Sequence, residues 1–224
     1  MQIETLYRDA FIAVVNKPCG LMVEDDQYGH PSVMQELKKE WNAAQHKNFF
    51  LQNIHRLDRP VSGALALAFK PSIVKKWSHD FRTRNVEKHY FALVMNAPPQ
   101  PKGKLQHWLW KNQREWCSVV KANPFPDAKP VELDYEVKAT VGATTLLDVH
   151  LHSGKYHQIR AQLAFIGCPI IGDEKYGSSV SFAPGAIGLH AHTLEFKHPA
   201  RGNRVEIKAA VPVNDWWQKF AAML

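Results

Sequence analysis

The sequence predicts an α+β protein built on a mixed, mostly antiparallel sheet that is flanked by helices and loops. Many short β-like runs follow one another at close spacing, with few helical patterns between them. Residues 144–152 alternate between apolar and polar side chains, as a strand with one buried face does. Residues 189–198 and 204–211 are typical of a hairpin that turns at Gly202-Asn203. Together these patterns favour a sheet whose neighbouring strands run in opposite directions.

The first elements are a pair of strands and a helix. Residues 3–17 predict the strand pair, and the buried run 11–15 lies in its second strand. That strand ends in Asn16-Lys17-Pro18-Cys19-Gly20, where Pro and Gly force a turn. Lys17 emerges there and can hold an anion, although an exposed lysine after a strand is the simpler interpretation. Residues 31–41 predict a helix with an apolar face.

The middle of the chain predicts a strand, a helix and a second strand. The apolar run 64–69 is the first strand, and residues 71–84 repeat apolar side chains at helical spacing. Residues 88–95 form the next strand, with Tyr90 near its entry. The Pro-rich stretch 97–103 is a connector.

Residues 104–138 predict an excursion of β structure in which tryptophans alternate loosely with lysines and arginines. Basic residues interleaved with aromatic rings suit looped or single-stranded RNA. A small hairpin that packs its tryptophans against the main sheet explains the same pattern equally well. Both interpretations therefore stay open.

Two helices are predicted in the last third of the chain. Residues 157–166 carry an apolar stripe, and Gly167 suits the position after a helix end. Arg160 lies in the first turn, where the helix dipole disfavours a cation, which indicates a task other than helix stability. Asn214 caps a terminal helix.

Composition indicates an ordinary globular protein with a basic surface. The 224 residues are 45% hydrophobic and 22% charged, and 28 Lys plus Arg against 21 Asp plus Glu give a net charge of +7. This excess favours a polyanionic partner, nucleic acid before an anionic membrane. No apolar run approaches membrane-spanning length and no secretory signal is evident, so we expect a cytoplasmic protein without a membrane partner.

The spacing of cysteine and histidine favours neither a disulfide frame nor a metal site. The three cysteines are odd in number and widely spaced, which is typical of free thiols. They are Cys19, Cys117 and Cys168. His150 with His152, and His190 with His192, each place two imidazoles on one strand face. Since no carboxylate or cysteine follows at a suitable spacing, we expect structural histidines and no bound metal.

One acid lies between two arginines in His55-Arg56-Leu57-Asp58-Arg59-Pro60-Val61-Ser62-Gly63. A carboxylate flanked by cations stays ionised, as a nucleophile or general base requires. Taken alone, the stretch is more typical of a surface turn with a salt bridge. Neither a Gly-rich phosphate loop nor the other motifs of a kinase accompany it.

Further motifs surround this stretch in a fixed order. They are Asn16-Lys17-Pro18-Cys19-Gly20, Lys88-His89-Tyr90-Phe91-Ala92, Gly154-Lys155-Tyr156-His157-Gln158-Ile159-Arg160, Gly172-Asp173-Glu174-Lys175-Tyr176-Gly177 and Leu189-His190-Ala191. With the Asp58 stretch, they resemble the motifs of RluA-type pseudouridine synthases in the same order, over nearly the whole chain. Lys155 stands where the family usually has Arg, and Val61 where it usually has Thr.

The resemblance implies the pseudouridine-synthase fold, with the sheet and its flanking elements around a central cleft. It implies one catalytic domain over residues 1–224, with the connector and excursion at about 97–130 and no S4-like module. Such enzymes are isomerases that detach uracil from its ribose, rotate it and rejoin it through C5, without cofactor or metal. The expected partner is a structured RNA, tRNA or rRNA, in which one specific uridine is modified by a monomeric enzyme.

The resemblance also implies the roles of three catalytic residues. Asp58 is the essential carboxylate, which either attacks a carbon or removes the ribose 2′ proton. Arg160 matches the arginine that pairs with this carboxylate. Tyr90 stacks on the uracil and helps to take the C5 proton.

Four further residues are expected to bind the substrate. Leu189 forms a wall of the base pocket, and Arg56 fills the gap that the flipped nucleotide leaves. Flipping is required because C1′ and C5 of a stacked base are inaccessible. Lys17 and Lys155 are the candidate contacts to phosphate.

Two other classes of function remain open at this point. A catalytically silent RNA-binding protein could share the fold, although the set of Asp58, Tyr90 and Arg160 is complete. A hydrolase could use Asp58 with a second carboxylate, as glycosidases do, but the resemblance offers no partner acid.

Overall fold

The computed structural model describes residues 2–42 and 49–224 of the chain. Its strands are β1 (Glu4–Arg8), β2 (Ile12–Lys17), β3 (Gln52–Asn53), β4 (Ser62–Ala68), β5 (Val86–Met95), β6 (Lys102–Asn112), β7 (Cys117–Lys121), β8 (Lys129–Val141), β9 (Thr144–Leu151), β10 (Leu189–Lys197) and β11 (Arg204–Lys208). Its helices are α1 (Val33–Asn42), α2 (Pro71–Arg82), α3 (Gln158–Phe165) and α4 (Asp215–Gln218), with 3₁₀ turns at Glu174–Tyr176 and Ala221–Met223. Among the helices that the structure describes, none has the length and apolar character needed to cross a membrane.

These elements confirm the α+β class and most of the predicted strands and helices. The first helix begins at Val33 rather than at residue 31, because Ser32 caps it. The Ser32 hydroxyl accepts the Gln35 backbone N–H at 3.0 Å, and the helix begins at Val33. Asn214 caps the terminal helix as expected, since its side chain accepts the Trp216 backbone N–H at 3.0 Å. The two-residue strand β3 has no sequence pattern and was not predicted.

The described chain divides into two compact units, and the first comprises residues 1–87 and 191–212. Its sheet has the strand order β1-β2-β4-β10, with β3 also paired to β4 and β11 to β10. The pairs β1/β2, β2/β4, β3/β4 and β10/β11 are antiparallel. This division does not test the expectation of a single catalytic domain, which stays a prediction.

The core of the first unit surrounds β4, whose seven residues are all buried. A strand covered on both faces is continuously apolar rather than alternating, which explains the small aliphatic run 64–68. Helix α2 covers one face with Trp77, whose ring centroid lies 4.7 Å from that of Phe196 on β10. Gly63 allows the strands to approach at the start of β4, because a Cβ there would lie 2.3 Å from the Ala191 carbonyl oxygen.

The second unit comprises residues 88–190 and 213–224. Its strands follow the order β5-β9-β8-β6-β7, and each neighbouring pair is antiparallel. Helix α3 packs against β6 and β7. Buried leucines contribute to this core from both the sheet and the helix. They include Leu93, Leu133, Leu146 and Leu147 on the strands and Leu163 on α3.

A buried lysine holds together the loops at the end of β2 and before β4. The Lys17 ammonium donates to the carbonyl oxygens of Pro18 at 2.8 Å, Leu21 at 2.7 Å and Arg59 at 3.2 Å. The side chain is fully buried. Lysine is rarely buried unless its charge is paired. Here the dipoles of three peptide groups stabilise the charge in place of an acidic partner. The ammonium therefore joins the turn 16–21 to the loop that carries Asp58.

Burial lowers the pKa of Lys17 from an ordinary value of 10.5 to about 8. Removing an ammonium from water disfavours its charged form. The nearby Cys19 and Asp58 act in the opposite direction and raise this pKa, whereas the Arg59 guanidinium lowers it. The Asp58 carboxylate is thus close enough to stabilise the buried cation.

Replacing Lys17 by methionine should destabilise the protein. Lys17→Met keeps the length of the side chain but leaves the three carbonyl groups without this donor, and each buried polar group left unpaired costs about 1–3 kcal/mol. Because methionine carries no charge, its burial avoids the desolvation cost of the ammonium, which offsets part of this loss of stability. We expect the unfolding free energy at pH 7 to fall by about 2 kcal/mol, measured by urea denaturation. An unchanged midpoint would show that these bonds contribute nothing.

The pH dependence of that difference provides an independent check. Between pH 8 and 10.5 the unfolded chain keeps the Lys17 proton while the folded chain loses it, so the unfolded state binds more protons. The unfolding free energy of the wild type should therefore rise with pH in this window relative to Lys17→Met. The full shift corresponds to about 3 kcal/mol. A difference that is equal at both ends of the window would contradict the lowered pKa.

Candidate active site

The loop that carries Asp58 is fixed by bonds on both sides of the acid. Its Val61 backbone N–H donates to the Asp58 carbonyl at 3.0 Å, which closes a tight turn. The Gly20 N–H donates to the Arg59 carbonyl at 2.8 Å, and the Arg59 Nε donates to the Gly20 carbonyl at 3.0 Å. The Lys17 ammonium donates to the same Arg59 carbonyl. These bonds fix the backbone that carries the half-buried Asp58 side chain.

His55 anchors the front of the same loop. Its Nε2 accepts the Ala66 backbone N–H at 3.1 Å, and its ring stacks on Phe81 of α2 at a centroid distance of 4.8 Å. Accepting that bond requires an unprotonated Nε2. The first histidine of the motif thus connects the loop to the unit's core.

The two arginines beside Asp58 differ in how they are held. Arg59 is engaged by the Gly20 carbonyl, as described above. The Arg56 guanidinium is 69% exposed and lies 3.6 Å from Glu24, which is itself half exposed. An exposed ion pair of this kind contributes about 0–1 kcal/mol. Arg56 can therefore leave Glu24 at little cost.

Arg160, in the first turn of α3, is buried and paired with Asp173. The Nε donates to Asp173 Oδ2 at 2.7 Å, and the Nη2 donates to Oδ1 at 2.8 Å. Both side chains are almost fully buried. A two-point bond between a planar guanidinium and a carboxylate fixes its plane as well as its position. The predicted pairing of Arg160 with Asp58 stays a prediction.

Tyr176 completes the surroundings of Arg160. The guanidinium carbon lies 5.1 Å from the centre of the Tyr176 ring. The phenol oxygen accepts the Ser118 backbone N–H at 2.7 Å and lies 2.9 Å from Nδ1 of His157. Burial raises the pKa of Tyr176 well above its ordinary value, so the phenol stays neutral. The motifs at 154–160 and 172–177 therefore meet in one buried network.

Sequence reasoning missed Asp173 as the partner of Arg160. The available signal was the position of this acid just after the apolar pair Ile170-Ile171 and Gly172, at the entry of a Gly-bounded loop. Such a place is typical of a buried acid. The sequence does not single out Asp173 among the carboxylates, because the pairing depends on how the loop 172–177 packs against α3.

Tyr90 and Leu189 are both buried within the second unit. Tyr90 lies on β5, opposite Val149 of β9. Leu189 begins β10 directly after Gly188, whose carbonyl accepts the Leu93 backbone N–H at 2.7 Å. A Cβ on Gly188 would lie 2.9 Å from that of Leu93, so a larger residue would push Leu189 away from β5.

The two candidate phosphate contacts have opposite environments. Lys155 is exposed, and its backbone N–H donates to the Gln158 side chain at 3.1 Å. Its ammonium is thus accessible to an anion. Lys17 instead directs its ammonium at three carbonyl groups of its own unit, which makes it a positioning residue for the Asp58 loop. The predicted contact of either lysine with substrate stays a prediction.

A potential metal-binding group lies away from these motifs. Asp134 on β8 faces His150 on β9, and His152 follows just past the end of β9. One donor atom from each lies within 4.8 Å of the others. A carboxylate does accompany these histidines, but sequence spacing does not reveal it because strand pairing brings it there. By contrast, His192 of the other pair lies 3.0 Å from the Ala209 carbonyl oxygen, and His190 packs edge-on against Trp217.

Comparisons with known proteins show several similar chains. The "Ribosomal large subunit pseudouridine synthase C" of Vibrio cholerae is 31% identical over 210 residues, which are 91% of this chain and 64% of that protein. The chain thus spans less than two thirds of this relative. The "Dual-specificity RNA pseudouridine synthase RluA" of Escherichia coli is 29% identical over 214 residues, which are 91% of each chain.

The fold is also that of a solved human structure. "Human RNA Pseudouridylate Synthase Domain Containing 4" matches with a TM-score of 0.77 and 23% identity, over 93% of this chain and 88% of that one. This likeness confirms the predicted pseudouridine-synthase fold class. The sequence model of the family described as "RNA pseudouridylate synthase" matches residues 12–165, which include the Asp58 loop and Arg160. The chain therefore belongs to the RNA pseudouridylate synthase family.

Proposed function

We propose that this protein is an RNA pseudouridine synthase that isomerises a uridine of ribosomal RNA, with Asp58 as its essential carboxylate. The observation that carries the proposal is the Asp58 loop, a conformation held by Lys17, Arg59 and His55 within the region that matches the family. The name of the Vibrio cholerae relative supports the large ribosomal subunit as the source of the substrate. The name of the Escherichia coli relative, a dual-specificity enzyme, keeps tRNA as a second substrate to test.

Asp58 suits nucleophilic or general-base chemistry because its surroundings are cationic. The pKa of Lys17 is lowered by burial, and the charge of Asp58 opposes this lowering, so the ammonium and the carboxylate attract one another. An ionised carboxylate can attack C1′ of the ribose or remove the 2′ proton. Either step breaks the C1′–N1 bond and releases the uracil ring. After the ring rotates, C5 bonds to C1′ and loses its proton to a base, and Asp58 returns to the free carboxylate.

Arg160 is proposed to complete the charge balance of Asp58. Asp173 takes the Nε and Nη2 edge of the guanidinium and so fixes its plane. A guanidinium has five donors in a rigid fork, so one carboxylate does not exhaust it. In this proposal Asp173 positions Arg160, and Arg160 keeps Asp58 ionised until the carboxylate reacts with the substrate.

Arg56 is proposed to replace the flipped uridine in the RNA. Extruding a base costs a few kcal/mol of stacking. The exposed guanidinium, paired with Glu24 at 3.6 Å, can move into RNA without a large energetic cost. Tyr90 and Leu189 are proposed to receive the flipped base, with Tyr90 stacked on the uracil.

The hairpin β6–β7 is proposed as an additional RNA contact. Trp116 at its tip is 64% exposed, and the Lys111 ammonium lies 4.6 Å from the centre of the Tyr156 ring and 5.9 Å from that of Trp116. Aromatic faces bordered by lysine bind unpaired bases by stacking and phosphates by charge. The tryptophans of residues 104–138 thus differ in exposure. Trp116 is exposed, whereas Trp108 and Trp110 are half-buried.

Asp58→Asn should abolish pseudouridine formation while leaving folding and RNA binding intact. The amide is close to the carboxylate in size but can neither attack carbon nor accept a proton at neutral pH. We expect at least a loss of about a hundredfold, the lower end of what acid–base catalysis contributes. Tritium release from 5-tritiated ribosomal RNA and tRNA measures the reaction.

The matched control for this variant is Asp127→Asn, which changes an exposed acid in a turn with a left-handed backbone that Asn tolerates. It should keep full activity. Turnover by Asp58→Asn would refute the assigned role. A wild-type protein that binds RNA but releases no tritium from either RNA would instead indicate a silent RNA-binding protein.

Tyr90→Phe should separate stacking from proton transfer. The ring remains to stack on uracil, but the hydroxyl is lost. We expect the Michaelis constant for RNA to change little and the turnover rate to fall, in single-turnover and steady-state kinetics. A wild-type turnover rate would show that the hydroxyl takes no proton in the rate-limiting step.

Trp116→Ala should weaken RNA binding without slowing the bound complex. A stacked base contributes about 1–3 kcal/mol by this kind of substitution, and the loss should be visible in fluorescence anisotropy with labelled RNA. Phe165→Ala is the control, because Phe165 is another exposed aromatic residue of the same unit. Equal affinities of the two variants would exclude the hairpin tip from the RNA interface.

A further inference from the structure

We propose that Asp134, His150 and His152 form a binding site for a divalent transition-metal ion, with Zn²⁺ as the occupant that their chemistry favours. This group of residues, called the β8–β9 cluster below, lies outside the motifs of the catalytic proposal. The inference is independent of the proposed function.

The geometry of the β8–β9 cluster comes from strand pairing. Asp134 and His150 are directly opposite one another in the antiparallel pair β8/β9. His152 is two residues beyond His150, so it points to the same side of the sheet. Nε2 of His152 lies 2.7 Å from Oδ2 of Asp134, and the centroids of the two imidazole rings are 4.2 Å apart. Three donor atoms therefore converge on one point.

The spacing of these donors is close to that of a zinc centre. Bonds of about 2.0–2.2 Å in a tetrahedral arrangement place two ligand atoms about 3.3 Å apart. The donors of the β8–β9 cluster all lie within 4.8 Å of one another, so small side-chain rotations suffice to enclose an ion. Two imidazoles and one carboxylate leave a fourth position for water.

One carboxylate oxygen of the β8–β9 cluster supplies independent support. Oδ1 of Asp134 is buried and accepts no hydrogen bond from the residues that the structure describes. Buried polar atoms are nearly always paired, so such an atom calls for an explanation such as an ion. The Lys104 ammonium lies 3.9 Å from this oxygen, beyond hydrogen-bond length.

Neighbouring side chains add a second layer to the β8–β9 cluster. The His89 ring is parallel to that of His150, with centroids 4.6 Å apart, and its Nδ1 lies 3.2 Å from Oδ1 of Asp148. These residues and Glu136 also line a surface depression of about 420 Å³. Carboxylates and imidazoles behind the ligands orient them and add negative charge. The depression gives an ion a path from solvent.

The local charge balance leaves room for a cation. Lys104 lies 3.1 Å from Glu132, and Lys102 lies 3.0 Å from Glu136. Lys138 also lies 3.7 Å from Glu136, so three lysines stand against four acids around the cluster. Asp134 and Asp148 remain as the acids that directly contact the histidines.

The donor set selects the class of ion. Imidazole nitrogen suits Zn²⁺, Cu²⁺ and Ni²⁺, whereas Mg²⁺ and Ca²⁺ prefer oxygen ligands alone. We therefore expect Zn²⁺ and its spectroscopic substitute Co²⁺ to bind and Mg²⁺ not to bind.

Metal binding is tested on the full chain without an affinity tag, by calorimetric titration with Zn²⁺ and by the visible absorption of bound Co²⁺. We expect one ion per chain and a rise in melting temperature with added Zn²⁺. His150→Ala and His152→Ala should each weaken binding by about tenfold or more. His79→Ala, which removes an exposed imidazole on α2, is the matched control and should bind as the wild type does.

Two further variants keep the test decisive if a histidine variant folds poorly. Asp134→Asn keeps the shape of the side chain but removes the anionic ligand, so it should also weaken Zn²⁺ binding. Lys104→Gln removes the cation beside Asp134 and should tighten binding several-fold. Zinc affinity that all of these changes leave unaltered, or no zinc bound beyond that of a His150→Ala/His152→Ala double variant, would overturn the proposal and show a hydrogen-bond network only.

Discussion

The Asp58 loop depends on one buried charge, the ammonium of Lys17. Three peptide carbonyls surround it, two from its own turn and one from Arg59, just beyond Asp58. Because an ammonium in a protein interior must keep its hydrogen bonds, the two loops cannot separate without exposing both the charge and its acceptors. The rigidity of the loop thus follows from the cost of an unpaired charge rather than from apolar packing.

A second buried charge is arranged by the same logic in the other unit. Arg160 and Asp173 are both almost fully buried, and their two parallel bonds offset part of the desolvation that such a pair costs. A hydrophobic pair of equal volume would hold α3 to the loop 172–177 at least as well. The two bonds do fix the plane of the guanidinium, which is what the charge-balancing role proposed for Arg160 requires.

Sequence patterns predicted most elements because burial leaves a signal in hydropathy. The helical spacing in α2 and the alternation in the second half of β9 reflect burial of one side, whereas the continuous apolar run of β4 reflects burial of both. The site was less accessible to this reasoning. A lysine after a strand is ordinarily exposed, and nothing in the chain order shows that peptide carbonyls enclose Lys17. The pairing of Asp134 with His150 is set by the register of β8 and β9, which hairpin length and the irregularity between Val137 and Ala139 determine.

The alternation of side chains along β5 separates the proposed catalytic group from the β8–β9 cluster. Tyr90 lies opposite Val149, and Val149 opposite Tyr135, so these three share one face of the sheet. His89 lies opposite His150, and successive residues of a strand point to opposite faces. The histidines therefore stand on the reverse side of the strand that presents Tyr90. A sheet that buries one face for catalysis can carry a separate binding chemistry on the other, because changes in either set need not disturb the backbone hydrogen bonds they share.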